Sequence, residues 1–243
     1  MKPVYFISDL HLSAARPDIS ACFFDFLDGI KHEVEQLYIL GDLFEVWLGD
    51  DDITPFSESI AKALKDLSLH CPVFFIHGNR DFAIRKNFAE RAGMQILPEQ
   101  YVFQFGTDRV LLMHGDELCT KDIAYQKFRR KARSWWWPAI MLALPLWLRK
   151  HIATRGRAIS QNNQRQLTAD IMDVTEQEVV NAMQAHQADV LIHGHTHRPK
   201  IHLVDLQDRQ GTRLVLGDWY DQGSYLRYDE TGFHLERLSF KTR

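Results

Sequence analysis

The feature that most constrains this chain is a unit that recurs: a short apolar run that stops at a loop of Gly, Asp, Asn or His. It occurs as "VYFISDLH", "LYILGD", "VFFIHGNRD", "LLMHGD" and "LIHGHTH". Runs of this length and composition match strands covered on both faces. Segments with helical spacing lie between them. They are "ISACFFDFLDGIK", "FSESIAKALKDLS" with Ser57 as its cap, and "FAIRKNFAERAG" closed by Gly93. Such alternation predicts an α/β layered fold. Residues 121–185 read as helical and residues 201–240 as rich in strands. No repeat, low-complexity tract or linker divides the 243 residues. The chain therefore reads as one domain, 1–243, with 121–170 as a helical lid inserted into it.

The polar loops carry the chemistry. Ligands of layered α/β sheets bind beyond the carboxyl ends of the strands, so all five loops are expected to face one crevice. They supply Asp9, His11, Asp42, Asn79, His114, His195 and His197: carboxylates, imidazoles and one amide oxygen, without a thiol. That donor set suits Mn²⁺, Fe²⁺ or Zn²⁺. Seven ligands exceed what one tetrahedral ion takes and suffice for two ions sharing a carboxylate. Two ions about 3.5–4 Å apart clamp a phosphoryl group and activate water. A lone "DLH" is a weak signal and "HGHTH" alone also fits a loop of solvated histidines; the full set in this order, each after a strand-like run, points to one site.

Charge is unevenly spread. Residues 121–157 hold ten Lys/Arg against one acid, Asp122, which leaves −12 on the remainder of a chain whose net charge is −3. A basic island on an acidic body suits an anionic partner. Inside the island lies "SWWWPAIMLALPLWLRK". Trp135 to Leu148 is too short for a membrane span, which needs about 20 apolar residues, and contains Pro138 and Pro145. It reads as an interfacial or ligand-facing hairpin, with a self-closed helical hairpin as the plainer alternative. Trp135, Trp136, Trp137, Met141, Leu142 and Leu144 would line an apolar slot. Arg129, Arg130, Lys131, Arg133, Arg149 and Lys150 would meet anionic headgroups. Trp47 suits either the mouth of the slot or the core, and Asp50 to Asp52 read as a solvated loop. Cys22, Cys71 and Cys119 form no CxxC pair and fit a reducing cytosol as buried thiols. The start, "MKPVYFISDLHL", enters a strand at once and has no secretory h-region.

The ordered motifs D-x-H, GD, GN-[RH]-[DE], HGD and GHTH resemble the calcineurin-like metallophosphoesterase superfamily. This resemblance covers residues 1–120 and 185–243 and implies a four-layer α/β/β/α sandwich around a di-metal centre. "LGDLFEVWLGDDD", "MHGDELCTKDIAYQKFRR", "IMDVT" and "LIHGHTHRP" further resemble the branch that hydrolyses UDP-2,3-diacylglucosamine in lipid A biosynthesis. That likeness includes the insertion. It implies cleavage of the diphosphate to UMP and 2,3-diacylglucosamine 1-phosphate, by metal-activated water attacking the uridine-side phosphorus. Two Mn²⁺ ions are implied, although the ligand types also accept Fe²⁺ or Zn²⁺. So is cytoplasmic residence with peripheral attachment to the cytoplasmic face of the inner membrane, without nucleic acid or an obligate protein partner.

By the same resemblance Asp9, His11, Asp42 and His197 hold one ion, and Asp42 bridges to a second completed by Asn79, His114 and His195. Asn79, Arg80, His114 and His195 are the catalytic candidates. Asp81, Asp116 and Glu117 would orient ligands. Substrate contacts fall to Asn79, Arg80, Asp122, Tyr125, Arg157, Ser160, Gln164 and His195. The family's pattern has an Asn and a Lys a few residues beyond the serine. Here Gln164 and Leu167 stand there, beside Asn163 and Arg165, and Leu167 cannot replace a cation. Three other readings remain: a generic di-metal phosphodiesterase or nuclease, a scaffold that has lost catalysis, and a lipid-binding module without turnover. A nuclease would call for a long basic groove lined with stacking aromatics, whereas cations and tryptophans here share one insertion.

Overall fold

Alternate residues of the first strand serve two different cores. In β1 (Val4–Ile7), Tyr5 and Ile7 join one cluster of buried side chains while Val4 and Phe6 join another. A strand apolar at every position needs a layer on each face, and this chain provides both. The computed structural model of the chain describes residues 1–164 and 173–240, with side chains described for 1–156 and 173–240.

After β1 come α1 (Pro17–Ile30), β2 (Gln36–Leu40), α2 (Pro55–Ser68), β3 (Val73–Ile76), α3 (Lys86–Ala92), β4 (Met94–Ile96), β5 (Gln100–Phe105) and β6 (Asp108–Met113). A 3₁₀ turn, Asp116–Leu118, leads into the lid helices α4 (Ile123–Ala132), α5 (Trp137–Ala143) and α6 (Leu146–Gln164). Then follow α7 (Glu176–Ala185), β7 (Val190–His193), β8 (Lys200–Asp205), β9 (Gln210–Val215), β10 (Gly223–Asp229) and β11 (Gly232–Leu238).

The strands form two sheets, ordered β11-β10-β1-β2-β3-β4 and β5-β6-β7-β9-β8. The neighbours β1-β2-β3-β4 run parallel, as do β6-β7-β9; β10 and β11 at one margin of the first sheet and β5 and β8 at both margins of the second are antiparallel to their neighbours. Between the sheets lie Val4, Phe6, Leu40, Ile76, Leu112, Ile192, Leu214 and Leu226. Outside the first sheet, Ile19, Phe23 and Phe26 of α1 and Ile60 and Leu64 of α2 cover Tyr5, Ile7, Leu37 and Ile39. Outside the second, Val179 and Met183 of α7 cover Leu111, Met113 and Leu191. The result is the expected four-layer α/β/β/α arrangement, and the parallel strands of both sheets end on the same loops.

Three local expectations need correction. Ser57 is not the cap of α2: Thr54 is, and its side chain accepts from Ser57 N while the Ser57 hydroxyl accepts from Thr54 N, a reciprocal capping box. Pro55 can open the helix because its missing N–H is one the first turn leaves unused. Helix α3 starts at Lys86 rather than Phe82, with Asp50 accepting from Arg85 N and Phe88 N. Asp50 is therefore a structural acceptor and not a solvated charge. Trp47 is core: it stacks on Phe44, packs against Phe88, and donates its indole N–H to Asp50.

Candidate metal centre

Five strand ends bring the seven expected ligands together. β1 delivers Asp9 and His11, β2 Asp42, β3 Asn79, β6 His114 and β7 His195 and His197. Ligating atoms of Asp9, His11 and His197 lie within 4.8 Å of one another, and so do those of Asp9, Asp42 and His114. Asn79 Oδ1 sits 2.9 Å from His114 Nε2 and 3.0 Å from His195 Nδ1, which ties the remaining two into the group.

Backbone conformation at this site is unusual in a way the sequence does not show. Asp9, His11, Asp42, His195 and His197 all have positive φ, between 51° and 69°. Each such residue costs about 1–3 kcal/mol and persists only where its surroundings enforce it. The enforcement is visible. Asp9 N donates to Gly41 O and His11 N to Asp42 O, lacing the first loop to the second. Gly78 packs against the second loop so closely that a Cβ there would strike Asp42 N. Asp81 accepts from Gly78 N at 2.8 Å and Leu43 N at 2.7 Å, clamping the loops that carry Asn79 and Asp42.

The donors fit divalent cations. Asp9 Oδ2 accepts from Ser8 Oγ and His195 N. Its other oxygen, Oδ1, is buried without a hydrogen-bond partner among the described residues, and it faces His197 Nε2 at 3.4 Å and His11 Nε2 at 4.0 Å. A buried, unpartnered carboxylate oxygen ringed by imidazole nitrogens is costly unless a cation completes it. Protonation tells the same story. Burial, with Asp81 and Asp9 nearby, pushes Asp42 up to about 7. Burial opposes ionisation of Asp9, yet His197, His114 and His11 hold it well below the usual carboxylate range. Burial lowers His11 to about 3 and His195 to about 4, so both rings are neutral and able to ligate at neutral pH.

The other sequence-predicted residues separate into groups. Arg80 is at the rim: its N–H binds Asp42 Oδ1 at 2.9 Å and its Nη1 donates to Glu45 Oε1 at 2.8 Å. Asp116 does not hold a ligand. It accepts from Tyr125 Oη and Arg129 Nε at 2.8 Å, so it holds the lid. Glu117 likewise turns to Gln100 and Arg129. Asp122 caps α4 by accepting from Tyr125 N at 2.9 Å. Tyr125 stacks near His195, ring centroids 6.0 Å apart. Arg157, Ser160 and Gln164 fall in α6 where side chains lie outside the described ones, and Arg165 and Leu167 lie outside the described residues.

Three neighbours escaped the sequence reading. Glu45 faces both Arg80 and His11, Tyr220 stacks on His11 at 5.1 Å, and Asp218 faces His197 Nδ1 at 3.8 Å. Glu45 lies three residues past Asp42 in "GDLFE"; Asp218 and Tyr220 follow β9 in "GDWY", another apolar run ending in Gly-Asp. That repeat of the signal was the clue.

The insertion packs against the body through several of its arginines. Arg129 and Arg133 pair with Glu99, and Arg133 also donates to the carbonyls of His77 and Gly78. Arg149 is only 3% exposed and donates to Leu48 O, Leu144 O and Asp51, while Lys150 pairs with Asp52 at 3.0 Å. Four of the six cations expected on the outer surface are thus engaged by the body, and Asp51 and Asp52 are their partners rather than a solvated run. Outward-facing cations are Lys121, Lys127, Arg130, Lys131 and Arg155. Trp135 is 90% exposed and Trp147 69%, with Phe128, Ile140 and Ile152 also exposed. Trp135 also borders a cavity of about 380 Å³ whose wall includes Phe82, Ala132, Pro138 and Leu142 and whose polar side includes His77, Glu99 and Arg133. No helix among the described residues is long and apolar enough to cross a membrane.

The model of the family described as calcineurin-like phosphoesterase matches residues 2–199. The chain is 42% identical over 240 residues to a UDP-2,3-diacylglucosamine hydrolase of Vibrio atlanticus, covering 98% of each. It is 48% identical over 236 residues to the enzyme of that name from Escherichia fergusonii, covering 97% of this chain and 98% of the other. Among solved structures, a novel archaeal phosphodiesterase aligns over 97% of this chain and 99% of its own with a TM-score of 0.50 at 12% identity, a likeness of fold alone.

Proposed function

The chain belongs to the calcineurin-like phosphoesterase family, and from that premise we propose that it hydrolyses the diphosphate of UDP-2,3-diacylglucosamine to UMP and 2,3-diacylglucosamine 1-phosphate, a step of lipid A biosynthesis. Relatives of that printed name match nearly end to end, lid included. The observation that carries the reading is the orphaned Asp9 Oδ1 in a ring of imidazoles, joined to the Asp42–Asn79–His114–His195 group. Asp9, His11, Asp42 and His197 would hold one ion, and Asp42, Asn79, His114 and His195 another. Divalent ions held there, Mn²⁺ by resemblance, would supply a water of lowered pKa and neutralisation of phosphoryl charge.

The residues around them do the rest. Arg80, held at the rim by Glu45, forks onto diphosphate oxygens when substrate arrives. Asp81 keeps the loops of Asp42 and Asn79 at a fixed distance, so the ligand set is preorganised. Tyr125, held by Asp116, closes the site against His195, where the sugar would lie. Water adds at the uridine-side phosphorus as the bridging P–O bond breaks; the departing sugar 1-phosphate is a stable anion and leaves without a dedicated acid. Residues 121–170 act as the lid of a single functional unit, 1–243. Its cavity takes acyl chain, and its outward tryptophans with Lys127, Arg130 and Lys131 rest on anionic lipid at the cytoplasmic face of the inner membrane.

The test is hydrolysis of UDP-2,3-diacylglucosamine with Mn²⁺ in ¹⁸O-water. The expected product is labelled UMP. Label in the sugar 1-phosphate would overturn the point of attack. Turnover of a small aryl phosphodiester with none of the lipid nucleotide would favour a generic phosphodiesterase instead.

A further inference from the structure

Two carboxylates stand just outside the proposed metal cluster and face the far nitrogens of two of its imidazoles. His11 Nε2 and His197 Nε2 converge at 3.3 Å beside Asp9 Oδ1. Their Nδ1 atoms point away. His197 Nδ1 faces Asp218 Oδ2 at 3.8 Å; His11 Nδ1 faces Glu45 Oε2 at 3.4 Å, closer than Asp42 Oδ2 at 4.0 Å. An imidazole that offers Nε2 to a cation carries its proton on Nδ1, and a carboxylate there fixes the tautomer and the direction of the ring.

Glu45 differs from Asp218 in having a second task. Its other oxygen, Oε1, accepts from Arg80 Nη1 at 2.8 Å. Arg80 is otherwise tied to Asp42, through its backbone N–H at 2.9 Å and its Nε at 3.7 Å. One carboxylate therefore faces an imidazole of the cluster at 3.4 Å and accepts from the guanidinium proposed to meet the diphosphate. The His11 ring has little room to turn away from it, because Tyr220 lies flat on its face with an interplanar angle of 12°.

We propose that Glu45 is a positioning residue that couples the two halves of the reaction site, aligning His11 for its ion and Arg80 for the diphosphate. The inference rests on the di-metal reading above. Its test combines Mn²⁺ titration of metal-stripped protein with KM and kcat for UDP-2,3-diacylglucosamine at saturating Mn²⁺. Glu45→Gln is expected to weaken one of two Mn²⁺ sites about 10-fold, in the range for lost carboxylate partners of ligating histidines, and to raise KM about fivefold, the size of one partly exposed ion pair. Asp218→Asn is expected to weaken Mn²⁺ similarly while leaving KM in place, since it does not touch Arg80. In an Arg80→Ala background, Glu45→Gln should raise KM no further.

Unchanged Mn²⁺ affinity and KM in Glu45→Gln, or a drop confined to thermal stability, would overturn the coupling. So would an equal rise of KM in the Arg80→Ala background. Wild-type protein that takes up no Mn²⁺ would instead bring down the metal-site reading together with it.

Discussion

The loops that carry the proposed ligands hang from strands whose side chains are almost wholly buried, whereas lid helix α5 has no buried residue at all. The floor is held by cores on both faces and by backbone bonds between loops; the lid is held by arginines. Arg129, Arg133 and Arg149 each reach from a lid helix to an acid or carbonyl of the body. Strained ligand backbones need a foundation that does not yield, and five positive-φ residues on one floor require it. The insertion is fastened by arginines that are themselves largely buried, Arg129 against the buried Asp116 and Arg149 against the exposed Asp51. On the proposed reading, the floor would carry the chemistry and the lid the recognition.

The sharpest way to test the division is at the floor. Asp42→Ala should reduce turnover by about 10³-fold or more, the several kcal/mol that metal ions contribute to phosphoryl transfer. Elemental analysis should show both ions lost; two ions retained would contradict the bridging role. Metal-free protein should respond in the opposite sense. Burial raises Asp42 from its usual 3.8 to about 7. The fold therefore binds this proton more tightly than the unfolded chain, and its contribution to stability falls as pH rises from about 4 to about 7. Asp42→Ala removes that fall, so at pH 8 the stripped variant should melt no lower than stripped wild type.

How much of this was legible in the sequence follows the same division. The floor was readable because a doubly buried strand must be apolar throughout, and its end is where polar residues gather. Asp9, His11, Asp42, Asn79, His114, His195 and His197 announced themselves by position. The lid was not readable in the same detail, because arginine in a basic run looks alike whether it faces a lipid or a carboxylate. Arg149 and Asp51 are 98 residues apart, and only the fold brings them into contact. Glu45 was missed for a related reason: an acid inside "GDLFEVW" has no periodicity to mark it, and its partners come from two other loops. Ser57 was misread as a cap because this capping box has hydroxyls at both of its ends, Thr54 and Ser57, where Glu or Gln is the usual second partner.

Next in size is removal of the cover. Deleting residues 134–148 should lower turnover of the lipid nucleotide by about 10²-fold, the loss expected when remote binding no longer places the reacting group. A small aryl phosphodiester should change little, because no ligand lies in the segment. Equal losses on both substrates would mean that the floor depends on the lid and would erase the division.

A smaller effect probes how the lid is fastened. Arg149→Met keeps the aliphatic stem but abandons Leu48 O, Leu144 O and the Asp51 carboxylate. The cost should be about 1–3 kcal/mol for acceptors left without their donor. It should appear as faster proteolysis within 121–155 while Mn²⁺ affinity is unchanged. A fall in Mn²⁺ affinity of more than a few-fold would show that α6 helps to shape the floor.

The smallest expected effect on the fold lies at the lid's outer edge. Trp135 is 90% exposed and Trp147 69%, so Trp135→Ser and Trp147→Ser should each change stability by less than about 0.5 kcal/mol. Their exposure costs nothing in folding and has a use only if something apolar meets them. Co-sedimentation with vesicles containing anionic phospholipid should therefore fall several-fold in the double variant, by about the transfer free energy of two large aromatic side chains partly immersed at the interface. Raising salt should weaken binding of wild type and variant alike, since Lys127, Arg130 and Lys131 are untouched. If the double variant binds vesicles as wild type does, the exposed face is not what meets the bilayer, and the lid's contribution ends at the cavity it walls.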